Sequence, residues 1–149
     1  MNVSDLDLRA LSHALDDSDP DREHFLDRET GSLWTFVFSE ASDESRARRA
    51  GVLEGSGTWI KIPSRSPQAT FEEIEDFVEE LPETEVQELL FVALEKRGAM
   101  KNFREALMDH PDVRQQWLSA SRRRSEQRLD AFLETQGLSR TPDPTGAPG

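Results

Sequence analysis

Three groups of residues have the types and spacing that chemistry would need. In DDSDPDREHFLDRE, Asp17, Asp19 and Asp21 stand where the first, third and fifth ligands of an EF-hand calcium loop would stand. That loop also needs glycine at its sixth position for the turn and glutamate at its twelfth for bidentate ligation. Arg22 and Arg28 occupy those places, so the expectation is an acidic loop and no metal site. His13, His24 and His110 are isolated, with no second histidine three or four residues on to share an ion. No zincin motif, phosphate loop, nucleophile elbow or dinucleotide fingerprint occurs, and the GSG at Gly55–Gly57 is too weak to count as a phosphate loop. The absence of cysteine excludes disulfides, thiolate zinc sites and cysteine nucleophiles. Among thirty carboxylates a pair could serve acid–base chemistry, but the sequence singles none out, so catalytic residues stay unassigned and no cofactor is expected.

The second group is SRRRSEQR, Ser121 to Arg128, two turns of a helical stretch without one apolar residue. Guanidinium forks at Arg122, Arg123, Arg124 and Arg128 suit carboxylates, and the chain is rich in them. Arg122, Arg123 and Arg124 with Lys101 and Arg104 could instead meet phosphates, but no aromatic lies among them for stacking and the net charge of −12 repels nucleic acid.

The third group is the counterpart of the second. From Phe71 to Glu95 there are ten acids and no base, whereas Lys96 to Arg128 holds nine bases against four acids. Glu72, Asp76 and Glu79 therefore form an acidic face that either complements the basic helix or meets a basic partner. The longest apolar run, LLFVAL, is far too short to span a bilayer, and the acidic first residues lack a secretory h-region. The expectation is a cytoplasmic protein with no membrane contact.

Around these groups the elements follow from periodicity and caps. Ser4 is expected to cap a first helix, with Asp5 and Asp7 in its first turn and Leu8, Leu11 and Leu15 on its apolar face. Glu23–Asp27 and Ser32–Phe38 read as antiparallel strands around a Gly31 turn, the second strand central. Ser39 or Ser42 caps a short helix, and Thr58 to Pro63 supplies a third strand. After Pro67 the chain reads as helix throughout. Thr70 with Glu73 forms a capping box, Pro82 opens the next helix, ETEVQELLFVALEKR, and its apolar residues from Val86 to Leu94 cover enough of it to make it central. Lys96 and Arg97 fall in its last turn, Gly98 is the left-handed residue that stops it, and Pro111 opens the last helix, which Gly137 ends.

FLDRETG, IKIP, ALEKRGAMKNFREAL, QQWL and FLETQG together resemble the bacterial uncharacterised protein family 0158, from about Leu6 to Gly137. Asp27 with Thr30–Gly31, Arg97–Gly98–Ala99 with Phe103, and Trp117 carry most of that likeness. Met100 stands where the family usually has phenylalanine. The resemblance implies no activity or ligand; it marks Arg97 and Gly98 as a recurring structural corner.

The expected fold is α+β: a small three-stranded antiparallel sheet with an N-terminal helix, followed by a four-helix region. Residues 1–137 form one domain, sheet-containing over 1–66 and helical over 67–137, with Trp34, Trp59 or Trp117 at the junction and a disordered tail over 138–149. The expected function is a non-enzymatic interaction or regulatory module with a protein partner, a homodimer remaining open. The alternative is a nucleic-acid-associated protein using the Arg-rich helix, and the third reading is a small enzyme without a recognisable motif.

Overall fold

The computed structural model describes residues 7–55 and 57–138. In order, the elements are α1 (Leu8–Asp16), β1 (Arg22–Asp27), β2 (Leu33–Val37), a 3-10 turn (Phe38–Glu40), α2 (Asp43–Leu53), β3 (Trp59–Lys61), α3 (Pro67–Glu80), α4 (Glu85–Glu95), α5 (Ala99–Met108) and α6 (Pro111–Thr135). The class is α+β, with the expected three-stranded antiparallel sheet, N-terminal helix and helical C-terminal part. The chain divides into two compact units: the described residues up to Ser66 with those from Ser125 on, and Pro67–Arg124.

In the first unit the strand order is β2-β1-β3, so β1 is central and β2 lies at an edge. This corrects the expected central place of the second strand. Apolar residues on both faces of β2 report cover above and below, not a neighbour on each side, and β3 pairs with β1 through Phe25–Asp27. Gly31 takes the expected positive φ of 81°. Its N–H donates to the Asp27 carbonyl at 2.8 Å, and the Asp27 N–H donates to Ser32 at 2.8 Å.

One sheet face carries Leu26 and Ile62, packed with Leu11, Ala14 and Leu15 of α1 and Leu129, Phe132 and Leu133 of α6. The opposite face carries Phe25, Trp34 and Phe36, with Phe25–Trp34 centroids 5.1 Å apart. Above it α2 buries no residue; it covers the rings with arginine, Arg48 lying 4.1 Å over Trp34 and 5.0 Å over Trp59. Ser42, one of the two expected caps, starts α2 in a reciprocal capping box with Ser45. Ser4 and Asp5 lie outside the described residues; α1 begins at Leu8, and Asp7 caps it by accepting the Ala10 N–H at 3.0 Å.

The second unit's core is Ile74, Phe77, Val78, Leu90, Leu94, Phe103 and Leu107, with Trp117 edge-on to Phe77 (5.2 Å) and Phe103 (5.3 Å). Three expectations need correction here. First, α3 starts at Pro67, whose fixed φ suits a first helical residue, so Thr70 and Glu73 lie inside the helix and form no capping box. Second, Pro82 falls in the connector and Thr84 caps α4. Third, α4 is not a fully enclosed central helix: Leu89 and Val92 are 46% and 45% exposed, while burial follows one stripe through Gln87, Leu90 and Leu94.

Gly98 is left-handed (φ 79°, ψ 35°), as expected of a stop, although α4 already ends at Glu95 and Gly98 is the residue that caps α5. Lys96 and Arg97 therefore follow the last turn instead of forming it. Pro111 opens α6 as expected. The helix ends in a Schellman pair, Gly137 N–H to Glu134 at 2.9 Å and Leu138 N–H to Leu133 at 2.7 Å, with Leu138 packed on the first core.

Candidate functional site

The four arginines singled out on α6 have separate fates. Arg128 is half-buried and grips Asp16 with Nε at 2.9 Å and Nη2 at 2.8 Å. Arg124, also half-buried, lies 3.8 Å from Asp76 of α3, so one expected pairing between the acidic and basic helices exists. Arg122 and Arg123 are exposed. Lys101 is exposed 3.8 Å from Glu105 one turn on, a solvated pair of little energetic weight, and Arg104 is exposed. Glu72, Asp76 and Glu79 are exposed along α3.

At the corner between α4 and α5, Arg97 and Gly98 are exposed, and the Asn102 amide organises the turn. Its Nδ2 donates to the carbonyls of Arg97 (3.0 Å) and Ala93 (3.3 Å), covering the end of α4. Gln87 does the same for α3, donating to the carbonyls of Val78 (2.9 Å) and Leu81 (3.0 Å). Sequence reasoning missed both amides, because each serves the helix before its own and no local pattern marks it.

It also missed a polar chain in the first unit. Asp17 accepts from Arg22 Nε at 2.8 Å and faces His24 Nε2 at 2.7 Å, while His24 Nδ1 faces the Thr35 hydroxyl at 2.9 Å. In a neutral ring the carboxylate, an acceptor only, places the proton on Nε2 and leaves Nδ1 to accept from Thr35. Hydroxyl, imidazole and carboxylate stand in the order used to activate a nucleophile, but the same atoms brace the residue after α1 against β1 and β2. The Arg22 guanidinium, with help from His24, holds the Asp17 carboxyl well below the usual carboxylate range. Asp19 and Asp21 are likewise turned to protein donors: Asp19 accepts the Asp21 N–H at 2.9 Å, and Asp21 accepts the Ser39 N–H at 2.9 Å.

Two further carboxylates are held low. Arg49, then Lys61, depress Glu23, which sits beneath both. Asp27 is depressed by the Thr58 hydroxyl, the Glu29 N–H and the Thr30 hydroxyl, which together tie the hairpin to the start of β3.

A recess lies in each unit. In the second, a groove of about 470 Å³ between α3 and α6 is lined by Glu80, Gln115, Gln116 and Arg123 over Phe77 and Ala120. In the first, a recess of about 330 Å³ lies between the end of β3 and the last turns of α6. Neither is lined by Asp17, His24 or Thr35.

Leu89 and Val92 of α4 stand one turn apart, with Glu85, Glu88 and Glu95 exposed around them. Among the described residues no helix is long and apolar enough to cross a membrane.

No curated protein and no solved structure matched the chain. A family model described as Uncharacterised protein family (UPF0158) matches residues 1–142. Of the motifs behind the earlier resemblance, Asp27, Thr30 and Gly31 lie in the hairpin, Arg97–Gly98 between α4 and α5, and Phe103 with Trp117 in the second core. On the extent of that match, the chain belongs to the uncharacterised protein family 0158.

Proposed function

We propose that this protein is a non-catalytic interaction module whose α4 receives a basic, partly apolar segment of a partner protein. The observation that carries the reading is the ridge of Leu89 and Val92, about half exposed, set among Glu85, Glu88 and Glu95. Exposed apolar side chains are ordinary singly; two in register on one face within an acidic field suit an amphipathic helix with lysine or arginine on its flanks. Charge steers such a partner to the face, and burial of the two side chains holds it there. The same reading places the module in the cytoplasm, a setting that suits a cysteine-free chain.

The test is fluorescence anisotropy with a labelled Leu/Lys amphipathic helical peptide, at low and high salt, against wild type and L89S/V92S. These substitutions leave the charge unchanged, so plain electrostatic adsorption survives them. Loss of binding by roughly tenfold or more supports docking on the ridge, since two apolar contacts are worth about 1.5 kcal/mol or more each. Equal binding by the variant, or self-association through the ridge in sedimentation, sinks the reading. The second reading, phosphate contacts through α6, draws on the exposure of Arg122 and Arg123. Labelled DNA and RNA in the same assay test it: salt-steep binding that R122A/R123A abolishes would favour it over the ridge.

A further inference from the structure

The recess of about 330 Å³ in the first unit has a lining that departs from the rest of the chain. Thirty acids outnumber eighteen bases in the sequence, yet the recess is lined by Lys61, Arg65 and Arg128 and by no acid. Its floor is apolar: Leu15 of α1 and Phe132 of α6 are 5% and 6% exposed, with Pro63 and Ala131 beside them. Carboxylates outside the lining hold Lys61 (Glu23, 3.3 Å) and Arg128 (Asp16, 2.8 Å) in place. An ammonium has three donors, and that single contact to Glu23 leaves Lys61 able to meet a ligand.

One feature of the fold works against an anion here, because Thr135 and Gln136 on the rim belong to the C-terminal end of α6, where helix carbonyls carry negative partial charge. Four carbonyls of the last turns are engaged. Phe132 accepts from Gln136 N–H at 3.1 Å, Leu133 from Leu138 N–H at 2.7 Å, Glu134 from Gly137 N–H at 2.9 Å, and Ala131 from the Thr135 hydroxyl at 2.9 Å. With these carbonyls occupied and no acid in the lining, a group entering the recess meets basic side chains.

We infer that this recess binds a small amphipathic anion: an oxyacid head, carboxylate or phosphate monoester, against Lys61 and the arginines, and a short aliphatic or aryl body on Leu15, Pro63 and Phe132. The volume stands at the small end of the range for ligand pockets, about 300–1,000 Å³, which suits a body of a few carbons and not a long acyl chain. The recess shares no residue with α4, and the inference does not depend on the docking reading.

The experiment is an amide chemical-shift titration of the full chain with sodium hexanoate, hexyl phosphate and hexanol, with acetate and inorganic phosphate as heads without a body. The expected result is saturable shifts at Lys61, Ser64, Arg65 and Ala131–Gln136 with hexanoate or hexyl phosphate. Whichever binds more tightly names the head. The bare anions and the alcohol should bind at least about tenfold more weakly, the discrimination of one charge-assisted hydrogen bond or of the buried body. Lys61→Gln, at an exposed strand position, should weaken the anion by about tenfold and leave the alcohol unchanged, its own spectrum reporting that it is folded. Hexanol binding as well as hexanoate, shifts scattered over other surfaces, or no shift at millimolar ligand would each overturn the assignment, and the wild-type titration decides it even if the variant fails to fold.

Discussion

Replacing Gln87 by methionine is the sharpest test of how the second unit is held together. Gln87 is 9% exposed, and its Nε2 donates to Val78 at 2.9 Å and Leu81 at 3.0 Å. The residue four places after Val78 is Pro82, which has no N–H to give; the Val78 carbonyl takes the Leu81 N–H at 3.2 Å instead, and the shorter bond from Gln87 adds to it at the end of α3. Methionine keeps the length and volume and removes both donors. Each lost bond costs about 1 kcal/mol, so Q87M should lose roughly 2 kcal/mol. Urea unfolding followed by Trp117 fluorescence, in a W34F/W59F background, reads this unit because Trp117 packs on Phe77 and Phe103. The midpoint should fall while the slope is unchanged. Q87E should be worse at neutral pH, since a buried carboxylate would then face two carbonyls. A loss below about 0.5 kcal/mol, the scatter of an ordinary surface substitution, would mean that water reaches these carbonyls and that the amide is ornamental.

Gly98→Ala should cost about 1 kcal/mol, the penalty of a left-handed backbone alone, because an added Cβ meets nothing closer than Asn102 Oδ1 at 4.0 Å. A loss several times larger in urea unfolding would point to a contact that the corner does not contain. R128A should destabilise the first unit by roughly 1–2 kcal/mol through Asp16, whereas R122A/R123A should stay within about 0.5 kcal/mol of wild type, and equal losses would contradict the split between paired and exposed arginines. Acid should also weaken the first unit. Asp17 and Glu23 are held below their usual values of 3.8 and 4.5, so their contribution is whole above those values and is lost as pH falls through the lower folded-state ones. Trp34 and Trp59 fluorescence should report urea midpoints that drop between about pH 5 and pH 2, and D17N should flatten that drop; an unchanged slope in D17N would refute the assignment.

What the sequence disclosed was what local pattern encodes. The repeats of Leu8, Leu11 and Leu15, the Gly31 turn, the Ser42 cap and Pro111 at the head of α6 each act over a few residues, and all are where they were expected. Lateral strand order is set by which backbone reaches β1, so the edge position of β2 could not be read from its own side chains. Gln87 and Asn102 look like surface amides until the preceding helix ends are in place. His24 seemed isolated because its partners, Asp17 and Thr35, are ordinary polar residues seven and eleven positions away.

The Arg-rich interruption of α6 shows the limit most clearly. Hydrophobicity vanishes from Ser121 to Arg128, and the sequence offered no reason to expect burial there. Burial nevertheless keeps the helical period: Trp117, Ser121, Arg124, Ser125 and Arg128 are all half-buried, leading to Leu129, Phe132 and Leu133, while Arg122, Arg123, Glu126 and Gln127 are exposed. The polar residues of that stripe carry it by pairing. Ser125 donates to Asp16 at 2.6 Å and meets Ser12 at 3.0 Å, Arg128 grips Asp16, and Arg124 faces Asp76. Trp117 belongs to one core and Phe132 to the other, and the stretch between them falls where the chain passes from the second unit to the first. Four arginines of one type thus divide by helical phase, two built into the fold and two left to solvent. A phosphate-binding role along the solvent side of the cluster falls to Arg122 and Arg123, which is why those two, and not all four, are the substitutions that test it.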